Sequence, residues 1–345
     1  MMLLLALSLL GVATSAASQS LPGLIDTLVA SGASQFADFI QSDPETLQLY
    51  LSDQVQTVFA PLDSASGNET LQERDLSPAQ RRTAAFQSAK GTTSIDLASR
   101  SLPGLILKTN NNAPLLNNQP QRVVVDTRPR NLTSPTKRWN PSSISRRGDN
   151  GTSLLRISSG LGKTTNVIKG DIQYDGGILH ITDGYFTMPE SLSSTSKYTG
   201  QTAFNNLLSS SNSTNTLDTT PSVTVFLPSN AAISASNSSI SASQLVSDHV
   251  VAGTVSYLPD LKDGTVLTTQ KGETLAISVR SGRYYVNGGL ITQANLILDN
   301  GVAHVVNKVL KPTPATTVPG AASTSSMSFI GVFGAICAVG IATLI

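Results

Sequence analysis

The three histidines, His180, His249 and His304, are the side chains of this 345-residue chain best suited to proton transfer or metal binding. An imidazole changes charge near neutral pH, and either ring nitrogen can bind a metal ion. His180 and His304 stand at the same place in two apolar segments of similar sequence, without paired carboxylates beside them. A lone histidine among β-branched residues is usually a hydrogen-bonded core residue. The pattern therefore predicts structural histidines and no catalytic site, metal or cofactor.

A glycine-rich stretch, Gly160-Leu161-Gly162-Lys163-Thr164, resembles part of a phosphate-binding loop. A complete loop of that kind needs another glycine five residues before Gly162, so that the backbone can wrap the phosphates. Ile157 stands there, and the match fails. The chain also lacks the G-x-S-x-G turn of serine hydrolases and the H-E-x-x-H helix of zinc proteases. We therefore predict that the protein is not an enzyme.

Two segments with the pattern T-V-F-x-P, at 57–61 and 224–228, indicate an internal duplication. Each is a run of β-prone residues that ends at a proline, which cannot donate to a strand ladder. After the second copy, Ser229 is placed to cap a short helix. The two histidine segments, 175–183 and 299–307, follow in the same order. Because the repeat is the size of a domain, we predict two tandem domains rather than a solenoid.

These segments resemble the motifs of the fasciclin (FAS1) domain family. A further family motif, Tyr-His-Val-Val-x-Gly, corresponds to residues 248–253, with Asp248 in place of the tyrosine. In the first copy Phe86 and Gln87 stand there, so the histidine is replaced. The residues that match the family motifs are Thr57, Phe59, Pro61, His180, Thr224, Phe226, Pro228, His249 and His304. The resemblance implies an α+β fold of two tandem FAS1 domains, each a β-sandwich-like wedge with small helices.

His249 is flanked by Val250 and Val251, which should hold it against the core. We therefore interpret it as a structural residue whose ring satisfies a backbone group. In the family this segment has been linked to adhesion, so the alternative is a partner-binding surface that only the second domain keeps. Removal of the Gln87 amide is expected to cost less stability than removal of the His249 ring.

The remaining apolar pattern agrees with a mixed fold. Residues 21–40 carry apolar side chains at near-helical spacing, interrupted at Gly32. Runs of β-branched and apolar residues at 121–127 and 274–279 predict strands. Residues 281–283 are typical of a hairpin turn. Short helices and strands in this arrangement favour an α+β fold.

Both ends of the chain carry patterns typical of targeting signals. Residues 3–12 are an apolar run followed by small residues, as in a signal peptide. No charge follows Lys311, and an apolar tail ends the chain, as in a GPI-anchor signal. The candidate attachment residues are Gly320, Ala321, Ala322 and Ser323. The predicted organisation is a signal peptide at 1–18, a first domain at 19–189 with an inserted loop at 128–151, a second domain at 190–311, a Pro/Ser/Thr-rich spacer at 312–328 and the hydrophobic tail at 329–345.

Five N-x-[ST] sequons predict N-glycosylation on surface loops if the chain enters the secretory pathway. They are Asn68, Asn131, Asn150, Asn212 and Asn237. The only cysteine, Cys337, lies in the apolar tail. The two domains are therefore expected to fold without disulfide bonds.

Residues 128–151 are the part of the chain least similar to the family. They include six basic residues against a single acid, Asp149, and the only tryptophan, Trp139. We predict an exposed, poorly ordered and protease-sensitive insertion. Three further interpretations stay open: processing at the dibasic pairs, use of Arg147-Gly148-Asp149 as an integrin-type tripeptide, and contact with acidic polysaccharide or phosphate.

The net charge of +1 gives no reason to expect binding to nucleic acid. The resemblance implies a cell-surface protein that acts in adhesion or in the organisation of the cell wall or matrix. Its partner would be a cell-wall polysaccharide or a matrix or cell-surface protein, and a lipid anchor would hold it at the plasma membrane or wall. The alternative is a single-span protein of the vacuolar or another internal membrane, with a structural or trafficking role.

Overall fold

The computed structural model describes residues 21–65, 76–127, 155–236 and 240–314, and it combines short helices with β-strands. The α-helices in these ranges are α1 (Leu24–Ala30), α2 (Ser34–Gln41), α3 (Pro44–Tyr50), α4 (Pro78–Phe86), α5 (Ile95–Arg100), α6 (Leu192–Tyr198), α7 (Thr202–Ser210), α8 (Thr214–Thr219), α9 (Asn230–Ser234) and α10 (Ala242–Asp248). The strands are β1 (Thr57–Pro61), β2 (Ser88–Ala89), β3 (Leu105–Ala113), β4 (Gln119–Asp126), β5 (Leu155–Ser158), β6 (Thr164–Tyr174), β7 (Gly177–Thr182), β8 (Val223–Pro228), β9 (Val250–Ala252), β10 (Val266–Thr268), β11 (Thr274–Arg280), β12 (Arg283–Val286), β13 (Gly289–Ile297) and β14 (Gly301–Val306). This mixture of helix and strand confirms the predicted composition of the fold.

Side-chain caps explain where several of the short helices begin. The Asp43 carboxylate accepts a hydrogen bond of 2.8 Å from the N–H of Thr46 at the start of α3. The Ser229 hydroxyl accepts one of 3.2 Å from Ala232, so α9 starts at the predicted place after the second T-V-F-x-P segment. The same kind of cap precedes α4, α5, α6 and α10, at Ser77, Ser94, Ser191 and Ser241. Each satisfies an amide that the helix itself leaves unpaired.

Strands β1 to β7 form a closed barrel in the order β2-β1-β7-β6-β5-β4-β3. Strands β1 and β7 run parallel, with Phe59 opposite His180. The other neighbouring strands are antiparallel. A pairing of Ala89 on β2 with Thr109 on β3 completes the barrel. The first T-V-F-x-P segment therefore lies between β2 and the first histidine segment on β7.

Strands β8 to β14 repeat this arrangement in the order β9-β8-β14-β13-β12-β11-β10. Strands β8 and β14 again run parallel, with Phe226 opposite His304. Val58 and Val225 precede Phe59 and Phe226 in β1 and β8, so these pairs occupy the equivalent strand positions that the sequence predicts. The common strand order is what a duplication requires.

The two sheets differ in closure, and the β-sandwich-like wedge implied by the resemblance is not confirmed. Strand β3 has nine residues and reaches β2, so the first sheet closes as a barrel. Strand β10 has three residues and no ladder pairing with β9 among the described residues. One backbone hydrogen bond, from Gln270 to Val250 at 3.1 Å, spans this gap. The domain boundaries at 19–189 and 190–311 stay a prediction.

Strands β1 and β8 each separate two apolar clusters. In β1, Val58 and Ala60 pack in the cluster under α1 to α3, whereas Phe59 packs in the cluster inside the barrel. In β8, Val225 lies in the cluster with α7 and α10, and Phe226 lies in the other cluster of the second sheet. This alternation follows from the two-residue period of a strand. Each fully buried large apolar side chain contributes about 1.5–3 kcal/mol to folding.

A smaller apolar cluster joins the two halves. It contains Val124 from β4 together with Tyr257, Ile297 and Val302 from the second half, and each is fully buried. The guanidinium of Arg122 lies 5.8 Å from the centre of the Tyr257 ring. The two sheets accordingly belong to one compact unit that ends at Pro314.

Several predicted features lie outside the described residues. They are the signal peptide at 1–18, the basic loop at 128–151 with Trp139, the tail at 329–345, the attachment candidates Gly320, Ala321, Ala322 and Ser323, and the sequons at Asn68, Asn131, Asn150 and Asn237. The remaining sequon residue, Asn212, is exposed in the turn after α7. Among the described helices, none is long and apolar enough to cross a membrane.

Candidate functional site

His180 lies on β7 with no exposed surface, and both of its ring nitrogens contact the backbone. Nε2 lies 2.7 Å from the carbonyl oxygen of Thr93, and the N–H of Asp171 lies 3.4 Å from Nδ1. The ring also stacks on Phe59, with the two ring centres 5.3 Å apart. Burial lowers the pKa of His180, so the neutral ring donates from Nε2 and accepts at Nδ1.

His304 makes the matching contacts in the second half. Its Nε2 lies 2.9 Å from the carbonyl oxygen of Ser256, and the N–H of Asn295 lies 3.4 Å from Nδ1. Its ring stacks on Phe226 at 5.7 Å between centres. Burial lowers the pKa of His304 to about 4. An imidazole held neutral between backbone groups in this way positions a loop and does not face a substrate.

A bulge in the neighbouring strand shapes each histidine site. Asp171 on β6 and Asn295 on β13 have positive φ angles of 57° and 58° and precede their histidines by nine residues. Their side chains accept hydrogen bonds from the N–H groups of Ile95 at 2.9 Å and Leu258 at 2.8 Å. Each bulge residue therefore connects its strand to the start of a helix, α5 after β2 in the first half and the short 3-10 helix Leu258–Asp260 after β9 in the second.

The threonine of each T-V-F-x-P segment holds the same loop from the other side. The Thr57 hydroxyl donates to Gly91 at 2.7 Å and accepts from Thr93 at 3.0 Å. Thr224 donates to Thr254 at 2.7 Å and accepts from the N–H of Ser256 at 2.8 Å. Threonine and histidine thus clamp one loop residue between them in both halves. The prolines of these segments, Pro61 and Pro228, end β1 and β8 opposite Thr182 and Val306.

His249 ends α10 and is also fully buried. Its Nδ1 donates to the carbonyl oxygen of Leu245 at 2.7 Å, and its Nε2 accepts from the N–H of Leu310 at 2.8 Å. Burial lowers the pKa of His249 to about 4, although the hydrogen bond to Leu245 opposes this change. The ring therefore links the end of a helix to the segment after β14, as the structural interpretation of the sequence requires.

Gln87 takes the place of His249 in the first half and makes the same connection to the segment after the last strand, although it donates to β1 and not to its own helix. Its Nε2 donates to the carbonyl oxygen of Phe59 at 2.9 Å, and its Oε1 accepts from the N–H of Phe186 at 2.8 Å. Phe186 and Leu310 each lie four residues beyond the last residue of β7 and β14. Because the buried amide also satisfies two backbone groups, the structure predicts that its removal costs as much stability as removal of the His249 ring, contrary to the expectation from the sequence.

The residue before each of these positions differs in chemistry. Phe86 is fully buried and packs edge-on against Phe186, with ring centres 5.8 Å apart. Asp248 instead forms an ion pair of 3.0 Å with Lys271, and its side chain is 7% exposed. The aspartate thus has a local partner at the position where the family has tyrosine.

Glycines in the two histidine segments are required by close approach of the backbone. A Cβ atom on Gly177 would overlap the carbonyl oxygen of Gln56, and one on Gly301 would overlap the carbonyl oxygen of Val223. The first residue of each histidine strand therefore packs directly on the residue before β1 or on the first residue of β8. The other glycine-rich stretch, at 160–164, forms the turn between β5 and β6.

A cleft of about 200 Å³ lies between the two halves. Its polar wall consists of Arg82 from α4, Asn111 from β3, Gln121 from β4 and Asp299 from the turn before β14. A second cavity, beside Arg156, has a volume of only about 20 Å³. Both cavities are lined by residues of the two halves, and the first is the larger of the two.

The structure brings the predicted motif residues together in two equivalent clusters, one with Thr57, Phe59 and His180 and one with their counterparts in the second half. His249 stands apart from the second cluster, at the end of α10. Among the described residues no group of three or more histidine, cysteine or acidic side chains could hold a metal ion. The sequence analysis did not predict the bulge residues or the cleft. The bulges had a usable signal, an Asp or Asn nine residues before each strand histidine.

Comparison with known proteins agrees with this architecture. Residues 199–312 match the family model of the fasciclin domain. The chain is 33% identical over 167 residues to a "Fasciclin-like arabinogalactan protein" of Arthroderma benhamiae, covering 47% of this chain and 39% of that protein. It is 34% identical over 170 residues to the "Fasciclin-like arabinogalactan protein CTB11" of Cercospora beticola, covering 47% and 45%. These matches support a fasciclin domain at residues 199–312, and the chain spans less than half the length of either relative.

Two more distant similarities concern animal proteins. A segment of mouse "Stabilin-2" is 33% identical over 131 residues, covering 36% of this chain and 5% of that protein. The solved FAS1 domain pair of the insect cell adhesion molecule Fasciclin I is 17% identical, with a TM-score of 0.38, covering 82% of this chain and 98% of that chain. The family model and the two fungal relatives share the word fasciclin in their descriptions.

Proposed function

We propose that the protein is a non-enzymatic, cell-surface binding module with two tandem FAS1 domains, acting in adhesion or in the organisation of the cell wall or matrix. The observation that carries this proposal is the state of the three histidines. All three are fully buried, and both ring nitrogens of each contact backbone groups. The three imidazoles therefore stabilise the fold and are not available for acid–base chemistry.

The names of the fungal relatives support a place at the cell surface. In our proposal the chain enters the secretory pathway through residues 1–18 and is N-glycosylated at its sequons. A GPI anchor attached at one of residues 320–323 then holds it at the plasma membrane or wall. The partner is a cell-wall polysaccharide or a matrix or cell-surface protein.

Membrane attachment is tested by detergent partitioning of the full-length protein before and after treatment with phosphatidylinositol-specific phospholipase C. Release into the aqueous phase is the expected result. A version with bulky residues at 320–323 should lose the anchor and appear in the medium. Retention in the detergent phase after treatment, together with a signal on an internal membrane, would instead favour the alternative of a single-span endomembrane protein.

The adhesion role is tested by deletion of the gene in its own organism. Cells that lack the protein should adhere less to each other or to a coated surface, or show altered sensitivity to wall-perturbing agents. Re-expression of the wild-type chain should restore the phenotype. Unchanged adhesion and wall integrity would contradict the proposal.

A further inference from the structure

The cleft between the two halves has an unusual set of polar groups on its wall. Gln121 is 1% exposed, and its Nε2 donates to the carbonyl oxygen of Leu298 at 2.8 Å. This bond fixes the orientation of the amide, and Oε1 has no hydrogen-bond partner among the described residues. The backbone N–H of Asp299 donates to the carbonyl oxygen of Glu190 at 3.1 Å. Its side-chain Oδ1 likewise has no hydrogen-bond partner among the described residues. Two acceptors of the same cleft are thus left for a donor from outside the scaffold.

Donors and acceptors are balanced on this wall. The exposed guanidinium of Arg82 and the amide of Asn111 offer N–H groups, while Gln121 and Asp299 offer oxygens. One cation and one anion give no net charge. A phosphate or other anion would meet the Asp299 carboxylate, and a simple ammonium ion would leave Arg82 unused. The wall therefore fits an uncharged molecule that carries both donors and acceptors, as hydroxyl groups do.

The rest of the cleft is apolar and small. Ala113, Pro114, Leu115 and Pro189 complete its lining. Flat aliphatic surfaces of this kind can pack against the C–H groups of a saturated ring. A volume of about 200 Å³ is below the range of about 300–1,000 Å³ that is typical for drug-sized ligands. The space suits one ring with its hydroxyl groups rather than a peptide segment of several residues.

We propose that this cleft binds one monosaccharide unit of a neutral polysaccharide, with Arg82, Gln121 and Asp299 hydrogen-bonded to its hydroxyl groups. The inference rests on the proposed function and deepens it, because it names the class of partner and the place of contact. Both halves contribute to the site, so the tandem arrangement itself creates the binding surface.

The test uses the full-length protein and ligand-observed NMR titration. The probes are the methyl glycosides of glucose, mannose, galactose and N-acetylglucosamine, with glycine and inorganic phosphate as counter-probes. We expect saturable binding of at least one glycoside. Arg82→Ala and Asp299→Asn should each weaken it about tenfold, the usual effect of losing a hydrogen bond to a charged group. Leu115→Trp, which fills the cleft, should abolish it.

Arg280→Ala is the matched control, because Arg280 is an exposed arginine on β11 that does not line the cleft. It should leave glycoside binding unchanged, and unfolding midpoints should show that all variants are folded. Three results would overturn the inference: no glycoside binding by the folded wild type, equal binding by every variant, or saturable binding of glycine or phosphate in place of the glycosides. If the deletion phenotype is present while glycosides fail to bind, only this inference falls. If the phenotype is absent, the proposed function falls independently of sugar binding.

Discussion

Substitution of His249 by alanine gives the sharpest test of the structural role assigned to the histidines. The ring donates to Leu245 at 2.7 Å and accepts from Leu310 at 2.8 Å in a fully buried position. Alanine leaves a carbonyl and an amide without partners, and each such group costs about 1–3 kcal/mol. We therefore expect the free energy of unfolding to fall by about 2–6 kcal/mol.

The first half of the chain supplies a matched control, because Gln87 already fills the equivalent position with an amide. His249→Gln should keep an acceptor for the Leu310 N–H and lose less than half as much stability as His249→Ala. Gln87→Ala should cost as much as His249→Ala, since it also removes two buried hydrogen bonds. Urea unfolding of the full chain, followed by circular dichroism, measures these differences. A loss below about 0.5 kcal/mol for His249→Ala, the range of ordinary surface substitutions, would refute the reasoning.

Three other outcomes follow from the same contacts. Because burial lowers the pKa of His249 and of His304 from 6.5 to about 4, the unfolded chain binds more protons between these values. Stability should therefore be complete above about pH 6.5 and fall towards pH 4, by about 2 kcal/mol for each of these histidines at pH 5, as measured by urea unfolding at pH 7.5 and 5. A pH-independent midpoint over this range would contradict the buried neutral state. Gly301→Ala places a Cβ on the carbonyl oxygen of Val223 and should lower the melting temperature strongly, whereas Gly184→Ala, with open space around it, should not. Asn212→Gln should remove one glycan from the secreted protein and increase its mobility on a denaturing gel, because Asn212 is exposed; unchanged mobility would show that this sequon is unused.

Features set by neighbouring residues could be predicted from the sequence. Strands β1 and β8 follow from a β-prone run that ends at Pro61 or Pro228. The hairpin at 281–283 follows from its turn residues, and Ser281 and Gly282 indeed have φ angles of 50° and 73°. Such elements depend on a few adjacent side chains, and their signals therefore survive in a single sequence.

Features that depend on distant parts of the chain could not be predicted. Closure of the first sheet needs Ala89 and Thr109 to meet, and nothing local to either residue records that pairing. The cleft combines residues from α4, from the β3–β4 region and from the turn before β14, so no spacing pattern connects them. A glutamine at the position equivalent to His249 suggests from the sequence alone that the motif is lost in the first half. The sequence does not show that Gln87 and His249 each satisfy two backbone groups.

The equivalence of Gln87 and His249 also limits where recognition can take place. If the family's histidine motif were an adhesive surface, its loss would leave the first half inactive. Both side chains have no exposed surface and are engaged with the backbone, so neither half presents this position to a partner. In each half, a different residue makes a backbone connection that holds the segment after the last strand on the core. A partner must therefore bind surfaces that these connections position, and the cleft between the halves is one place where both copies contribute to the same wall.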